Sequence, residues 1–159
     1  MLEFSEIIPG RLWVGGYVSE NDVPQLRRIG ITTVFSLQTD EDLRHYGISL
    51  KELSRSYLDA GIEFHRLPTE DFNRGALACN LPEAVAQVEA LLSHPETKLY
   101  LHCTAGVTRS ATAAAGFLIR SHGIPAREAY AYLISRRDCS PALDTLEHYE
   151  ITLRSEELS

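Results

Sequence analysis

The sequence predicts an α/β fold in which a mainly parallel central sheet carries helices on both faces. Three observations predict it. Short apolar or β-branched runs of strand length alternate along the chain with longer segments of helical composition. Glycine, proline and capping residues fall at the junctions, where the chain needs an unusual backbone or a missing N–H. One short run, Lys98-Leu99-Tyr100-Leu101-His102, passes through a loop of small residues straight into an alanine-rich helix, Ser110 to Ile119.

Arg11-Leu12-Trp13-Val14-Gly15 is the first predicted strand. The polar stretch Ser19-Glu20-Asn21-Asp22 caps a helix that runs to Arg28 and that Gly30 ends. Ile31 to Leu37 is β-branched and aromatic and reads as a buried strand, Leu50 to Ala60 as a helix, and Ile62 to Leu67 as a further strand. Pro68 stops that strand and opens a loop. Asn80-Leu81-Pro82-Glu83 predicts the start of a helix through Leu92, because proline is favoured in a first turn. Beyond the alanine-rich helix, Ile124-Pro125-Ala126-Arg127-Glu128 starts another helix to Arg136, and Leu143 to Leu153 forms the last. Ligands of open parallel sheets bind beyond the carboxyl ends of the strands, so Cys103 and the loops after Leu37 and Leu67 are expected to gather there.

At 159 residues the chain is expected to be one domain, 1–159, with a real core. A net charge of -7 excludes a general nucleic-acid or anionic-membrane binder, while leaving room for a local positive pocket. Three cysteines fit a reducing, cytoplasmic setting better than a disulfide framework. Neither a signal peptide nor a membrane-length apolar run is found at Met1 or elsewhere, and the protein is expected to be a monomer.

Chemistry concentrates at Cys103-Thr104-Ala105-Gly106-Val107-Thr108-Arg109-Ser110. Five small or apolar residues separate the cysteine from the arginine, enough for a loop whose N–H groups converge on one anion ahead of a helix N-terminus. Thr104, Ala105, Gly106, Val107 and Thr108 are the expected phosphate-binding backbone, and Arg109 offers the planar fork that grips two phosphate oxygens. Cys103 lies where phosphorus would be attacked. A free cysteine has a pKa near ~8.5, which a helix N-terminus and a cation lower toward the thiolate that attack requires. No metal is expected: Cys79 and Cys139 have no ligand spacing with Cys103, and His102 points to the other side of the strand.

Displacing an alkoxide from phosphorus requires a proton for the leaving oxygen. In Pro68-Thr69-Glu70-Asp71-Phe72-Asn73 the best candidate acid is Asp71, with Glu70 as runner-up; Phe72 beside it can shield the acid or stack on substrate. The Ser110 hydroxyl is placed to hydrogen-bond the sulfur as a phosphoenzyme breaks down, or to cap the helix.

Through His102-Cys103, five loop residues, Arg109-Ser110 and the upstream Asp71, the chain resembles the cysteine-dependent dual-specificity phosphatases. Within them it looks most similar to the glucan phosphatases, the plant starch-acting enzymes and animal laforin, from Leu12 to about Leu153. Phe35 to Leu43 with Tyr46-Gly47-Ile48 is similar to the plant enzymes' recognition segment, Asp71-Phe72 to their acid and aromatic, Cys103 to Gly106 to their cradle, and Ser135 to Pro141 to a loop that closes over the site. The resemblance implies a dual-specificity phosphatase fold and a two-step, cofactor-free reaction. Cys103 attacks, Arg109 holds the phosphoryl oxygens, and Asp71 protonates the leaving oxygen and then activates water. It also implies that His102 holds the loop and helps to keep the sulfur ionised, and that Tyr46 and Phe72 form a sugar-binding platform.

Departures from the glucan enzymes bear on the substrate. Thr108 stands where they usually carry glycine, and Ser110 stands where many plant members have alanine but laforin and protein phosphatases have serine. A carbohydrate-binding module, a C-terminal extension and an N-terminal aromatic segment like those of the glucan enzymes are not expected. Three functions therefore stay open: a phosphoglucan phosphatase, a protein phosphatase acting on phosphotyrosine and phosphoserine/threonine, and a non-catalytic phosphate-binding module.

Overall fold

The computed structural model describes residues 2–158, so the expectations at Met1 and Ser159 lie outside the described residues. Five strands form one sheet: β1 (Phe4–Ile8), β2 (Leu12–Gly15), β3 (Thr33–Ser36), β4 (Glu63–Arg66) and β5 (Leu99–His102). Their spatial order is β1-β2-β5-β3-β4, with every pair parallel except the antiparallel β1 and β2. The mainly parallel sheet is as expected. Strand β1 is a correction, because the expected sheet began at Arg11; its Phe-Ser-Glu-Ile-Ile has too little alternation to stand out as a strand.

Helices cover both faces, as the period-2 alternation of buried strands requires. Leu12, Val14, Phe35, Leu99 and Leu101 face a core built with α4 (Arg74–Leu92), α5 (Arg109–His122), α6 (Ala126–Arg136) and α7 (Leu143–Glu157). Trp13, Val34 and Tyr100 face the other way, onto α1 (Val23–Arg28) and α3 (Leu50–Ala60). A further short helix, α2 (Asp40–His45), follows β3 where only a loop was expected. It has a capping box, Thr39 to Asp42, but six residues are too few to show a hydrophobic period.

Two more boundaries differ from expectation. Helix α4 starts at Arg74, not Asn80: Asn73 caps it by accepting from the Ala76 N–H at 3.0 Å, and Pro82 lies inside it. Tertiary packing of Leu77, Leu81, Val85 and Val88 compensates for the hydrogen bond that Pro82 cannot donate. The alanine-rich α5 is buried from Arg109 to Ile119. At Gly116 a Cβ would lie 2.7 Å from Val85 Cγ2, so α4 and α5 approach closely only because that position lacks a side chain.

Candidate active site

Cys103 leaves the carboxyl end of β5 and is 2% exposed at the floor of a tight loop. The loop carbonyls all find donors outside it. Thr104 O accepts from the Tyr17 N–H at 2.9 Å, and Val107 O from the Ser140 N–H at 2.8 Å. Ala105 O and Gly106 O accept from Arg137, at 3.2 and 2.8 Å. Because C=O and the following N–H of a trans peptide point in opposite directions, turning these carbonyls outward turns the N–H groups of Ala105 to Thr108 inward. Gly106 has a φ of 67°, and a Cβ there would lie 2.5 Å from the Gly15 carbonyl carbon. A side chain is excluded on both counts.

Arg109 opens α5 and is 2% exposed, so its charge needs partners. Nη1 donates to Asp42 Oδ2 at 2.7 Å and to Thr69 O at 2.9 Å. Thr69 is itself fixed, donating to Leu67 O and accepting from Asn80 of α4. Nη2 lies 3.2 Å from Asp71 Oδ2, close enough for an ion pair but not aligned for a hydrogen bond. Nε and Nη2, the adjacent donors of the fork, therefore stay without hydrogen-bond partners in the interior. That edge fits two oxygens of a phosphoryl group.

Ser110 is one residue inside α5 rather than its cap, and its Oγ is 3.2 Å from Cys103 Sγ. Of the two expected roles, contact with sulfur is the one its position allows. His102 lies on the opposite side of β5, its Nδ1 2.9 Å from Cys103 O. Burial lowers its pKa from 6.5 to about 4, a fall opposed by the Cys103 carbonyl and assisted by Arg109. Burial therefore favours the neutral ring near pH 7, and the link of His102 to the loop is the hydrogen bond between its Nδ1 and Cys103 O.

Asp71 follows β4 on the loop that also supplies Thr69. Its Oδ1 accepts from the Phe72 N–H at 3.0 Å, across a backbone that puts Phe72 at φ 55°. That conformation is uncommon for a bulky residue and leaves the ring fully exposed. Tyr46, 44% exposed, stacks on Tyr17 with ring centroids 4.4 Å apart. Glu41, Asp42, Tyr46, Glu70, Asp71 and Phe72 line one open cleft of about 420 Å³ beside Thr104 and Ala105.

The structure thus brings Cys103, the 104–108 loop, Arg109, Ser110, Asp71, Tyr46 and Phe72 to one sheet edge. Three contributors escaped the sequence reading. Asp42 was hidden in an unrecognised helix, although its capping box was a usable signal. Tyr17 supplies an aromatic from the N-terminal part of the chain, where none was expected. Arg137 belongs to the segment expected to close over the site; instead its buried side chain lies against the outward carbonyls of the cradle.

A mainly parallel sheet with a cysteine and an arginine on an anion loop at its carboxyl edge defines a domain of the cysteine-dependent phosphatase class. The chain belongs to the family of dual specificity phosphatase catalytic domains, whose model matches residues 12–150. It is similar to the phosphoglucan phosphatase DSP4, amyloplastic, of Castanea sativa, at 32% identity over 129 residues, covering 79% of this chain and 34% of that protein. It is also similar to laforin of Mus musculus, at 26% identity, covering 86% of this chain and 44% of laforin. The chain spans less than half the length of these curated relatives. The fold matches the crystal structure of PTPMT1 with a TM-score of 0.78 at 22% identity, over 98% of this chain and 99% of that one.

Proposed function

We propose that this chain hydrolyses phosphomonoesters through a phosphocysteine intermediate and that its preferred substrate is a phosphorylated glucan. In this mechanism the cradle N–H groups and the Nε and Nη2 edge of Arg109 hold the phosphoryl oxygens, and the Cys103 thiolate attacks phosphorus. Asp71 gives its proton to the leaving oxygen. Water, activated by the same carboxylate, then attacks the phosphocysteine, and Ser110 Oγ donates to the departing sulfur. Asp42 is a poor alternative acid, since its carboxylate is committed to Arg109 and to the Thr39 N–H.

The observation that carries the glucan preference is the cleft mouth, where Tyr46, braced by Tyr17, and the exposed Phe72 present aromatic faces. Such faces hold the apolar side of a sugar ring. Glu41 and Glu70 on the same rim accept hydrogen bonds from neutral hydroxyls and repel an acidic phosphopeptide. The likeness to a phosphoglucan phosphatase and to laforin supports the same reading. A phosphoprotein substrate is the second reading, favoured by Thr108 in place of the glucan enzymes' usual glycine and by Ser110 beside the sulfur, a serine that protein phosphatases share with laforin.

The test is phosphate release from phosphorylated amylopectin and from phosphotyrosine and phosphoserine/threonine peptides, side by side, with Cys103→Ser as the blank. Faster release from amylopectin is expected. Release from the peptides alone assigns a phosphoprotein substrate.

A further inference from the structure

Behind the cradle, on the side away from the anion, the chain buries a second arginine. Arg137 terminates α6, its side chain is 2% exposed, and each of its guanidinium nitrogens has a partner. Nε donates to Gly106 O at 2.8 Å and Nη2 to Ala105 O at 3.2 Å. Nη1 reaches Ser5 Oγ and Nη2 also reaches Glu3 Oε1, each at 3.2 Å. The guanidinium thus ties the cradle to β1 and to the residues just before it, Ser5 lying within β1 and Glu3 next to it.

A buried charge in this place is costly unless its donors are used, and an apolar residue of similar volume would fill the space more cheaply. What an apolar residue cannot do is satisfy two consecutive carbonyls. Left without donors, Ala105 O and Gly106 O would lose their reason to face outward, and rotation of either peptide would take an N–H away from the anion. The missing side chain at Gly106 fits the same arrangement, because a Cβ there would lie 2.6 Å from Arg137 Nη2.

We propose that Arg137 is a positioning residue for phosphoryl binding, which sets the inward orientation of the cradle N–H groups through the carbonyls of Ala105 and Gly106, and that Glu3 and Ser5 hold it in register. The proposal rests on the assignment of the 103–109 loop as a phosphoryl site. It does not depend on which phosphomonoester is the substrate.

Orthovanadate, a phosphate-shaped oxyanion, is the probe. Its dissociation constant and the amide ¹H–¹⁵N shifts of Ala105 to Thr108 on its addition are compared in the unmodified protein, R137M, R137K and the E3Q/S5A double variant, with thermal stability measured alongside. R137M is expected to bind vanadate at least about tenfold more weakly and to lose the shift of the loop amides. R137K, which keeps the charge but not the planar fork, should recover only part of the affinity. E3Q/S5A, which alters only the outer ties, should weaken binding severalfold while its melting temperature stays within a few degrees. Should R137M fail to fold, R137K and the double variant decide. The proposal is overturned if R137K, or a folded R137M, binds vanadate and shifts its loop amides as the unmodified protein does. An unmodified protein that binds no vanadate refutes the phosphoryl site itself, and this inference with it.

Discussion

Asp42 Oδ2 accepts a 2.7 Å hydrogen bond from Arg109 Nη1 and a 3.0 Å bond from the Thr39 N–H, so one carboxylate both caps α2 and fixes the guanidinium. Burial pushes this carboxyl upward, but the Arg109 side chain and the Thr39 backbone together outweigh burial and hold it below its ordinary value of 3.8. The outcome is directional control. With Nη1 occupied by Asp42 and Thr69, only the Nε and Nη2 edge remains for a substrate.

Asp42→Asn is expected to keep the cap, since an amide oxygen still accepts from Thr39, while weakening the grip on Arg109. The value of kcat/KM on a small aryl phosphate should fall about tenfold or more. The variant should also be less acid-sensitive. A lowered folded pKa contributes stability that is full above the unfolded value and lost as pH falls through the folded one, and asparagine carries no such contribution. Denaturation midpoints at neutral and strongly acidic pH, with aryl phosphate kinetics, check both effects.

Cys103→Ser should abolish turnover with the fold and phosphate binding intact, because a serine hydroxyl is un-ionised near neutrality yet fits the same loop. Arg109→Lys should be nearly inactive, as an ammonium cannot present two donors in one plane. More than a trace of aryl phosphate hydrolysis by the serine variant would remove Cys103 from the nucleophile role.

Asp71 is tested by the leaving group. Asp71→Asn should slow hydrolysis of alkyl phosphates, whose alkoxides need a proton, far more than that of activated aryl phosphates. Glu70→Gln should not show this selectivity. An equal loss on both substrate classes, or a selective loss in the Glu70 variant, would reassign the acid.

His102 makes stability depend on pH in mild acid. Its pKa is 6.5 when unfolded and about 4 when buried, so between these values the unfolded chain binds more protons and stability drops as pH is lowered. The full loss is of order 3 kcal/mol, reached below pH ~4. Urea denaturation of the unmodified protein and His102→Gln at pH 7 and pH 5 checks it: the variant should lose less stability between the two.

Chemistry that sits on contiguous residues was legible in the sequence, and chemistry assembled by packing was not. Cys103, Arg109 and Ser110 share one short segment between a short apolar strand and a long alanine-rich helix, both clear in pattern, and Leu50–Ala60 was legible to the residue because Ser49 and Gly61 bracket it. Asp42 was hidden because its partner is far along the chain and its helix is too short for a period. Arg137 was read as part of a loop that closes over the site, since its partners, the carbonyls of Ala105 and Gly106 with Ser5 and Glu3, are brought to it only by the fold. Pro82 misled for a related reason: a proline marks a first turn only where tertiary contacts do not carry the helix through it.

The aromatics at the cleft mouth separate the two substrate readings. If Tyr46 and Phe72 hold a saccharide, the double change to alanine should cut activity on phosphorylated glucan about tenfold or more while leaving a small aryl phosphate nearly unaffected. The selectivity arises because the flat faces contribute to binding a sugar chain and little to the phosphoryl step. Phe72 is fully exposed, so its removal should leave stability almost unchanged; Tyr46 loses its stack on Tyr17, a cost of about 1 kcal/mol. A loss of several kcal/mol would instead mark a packing role. Glucan and aryl phosphate rates that fall together in a well-folded variant, or an unmodified protein that releases phosphate from peptides but not from amylopectin, would assign the cleft to a phosphoprotein.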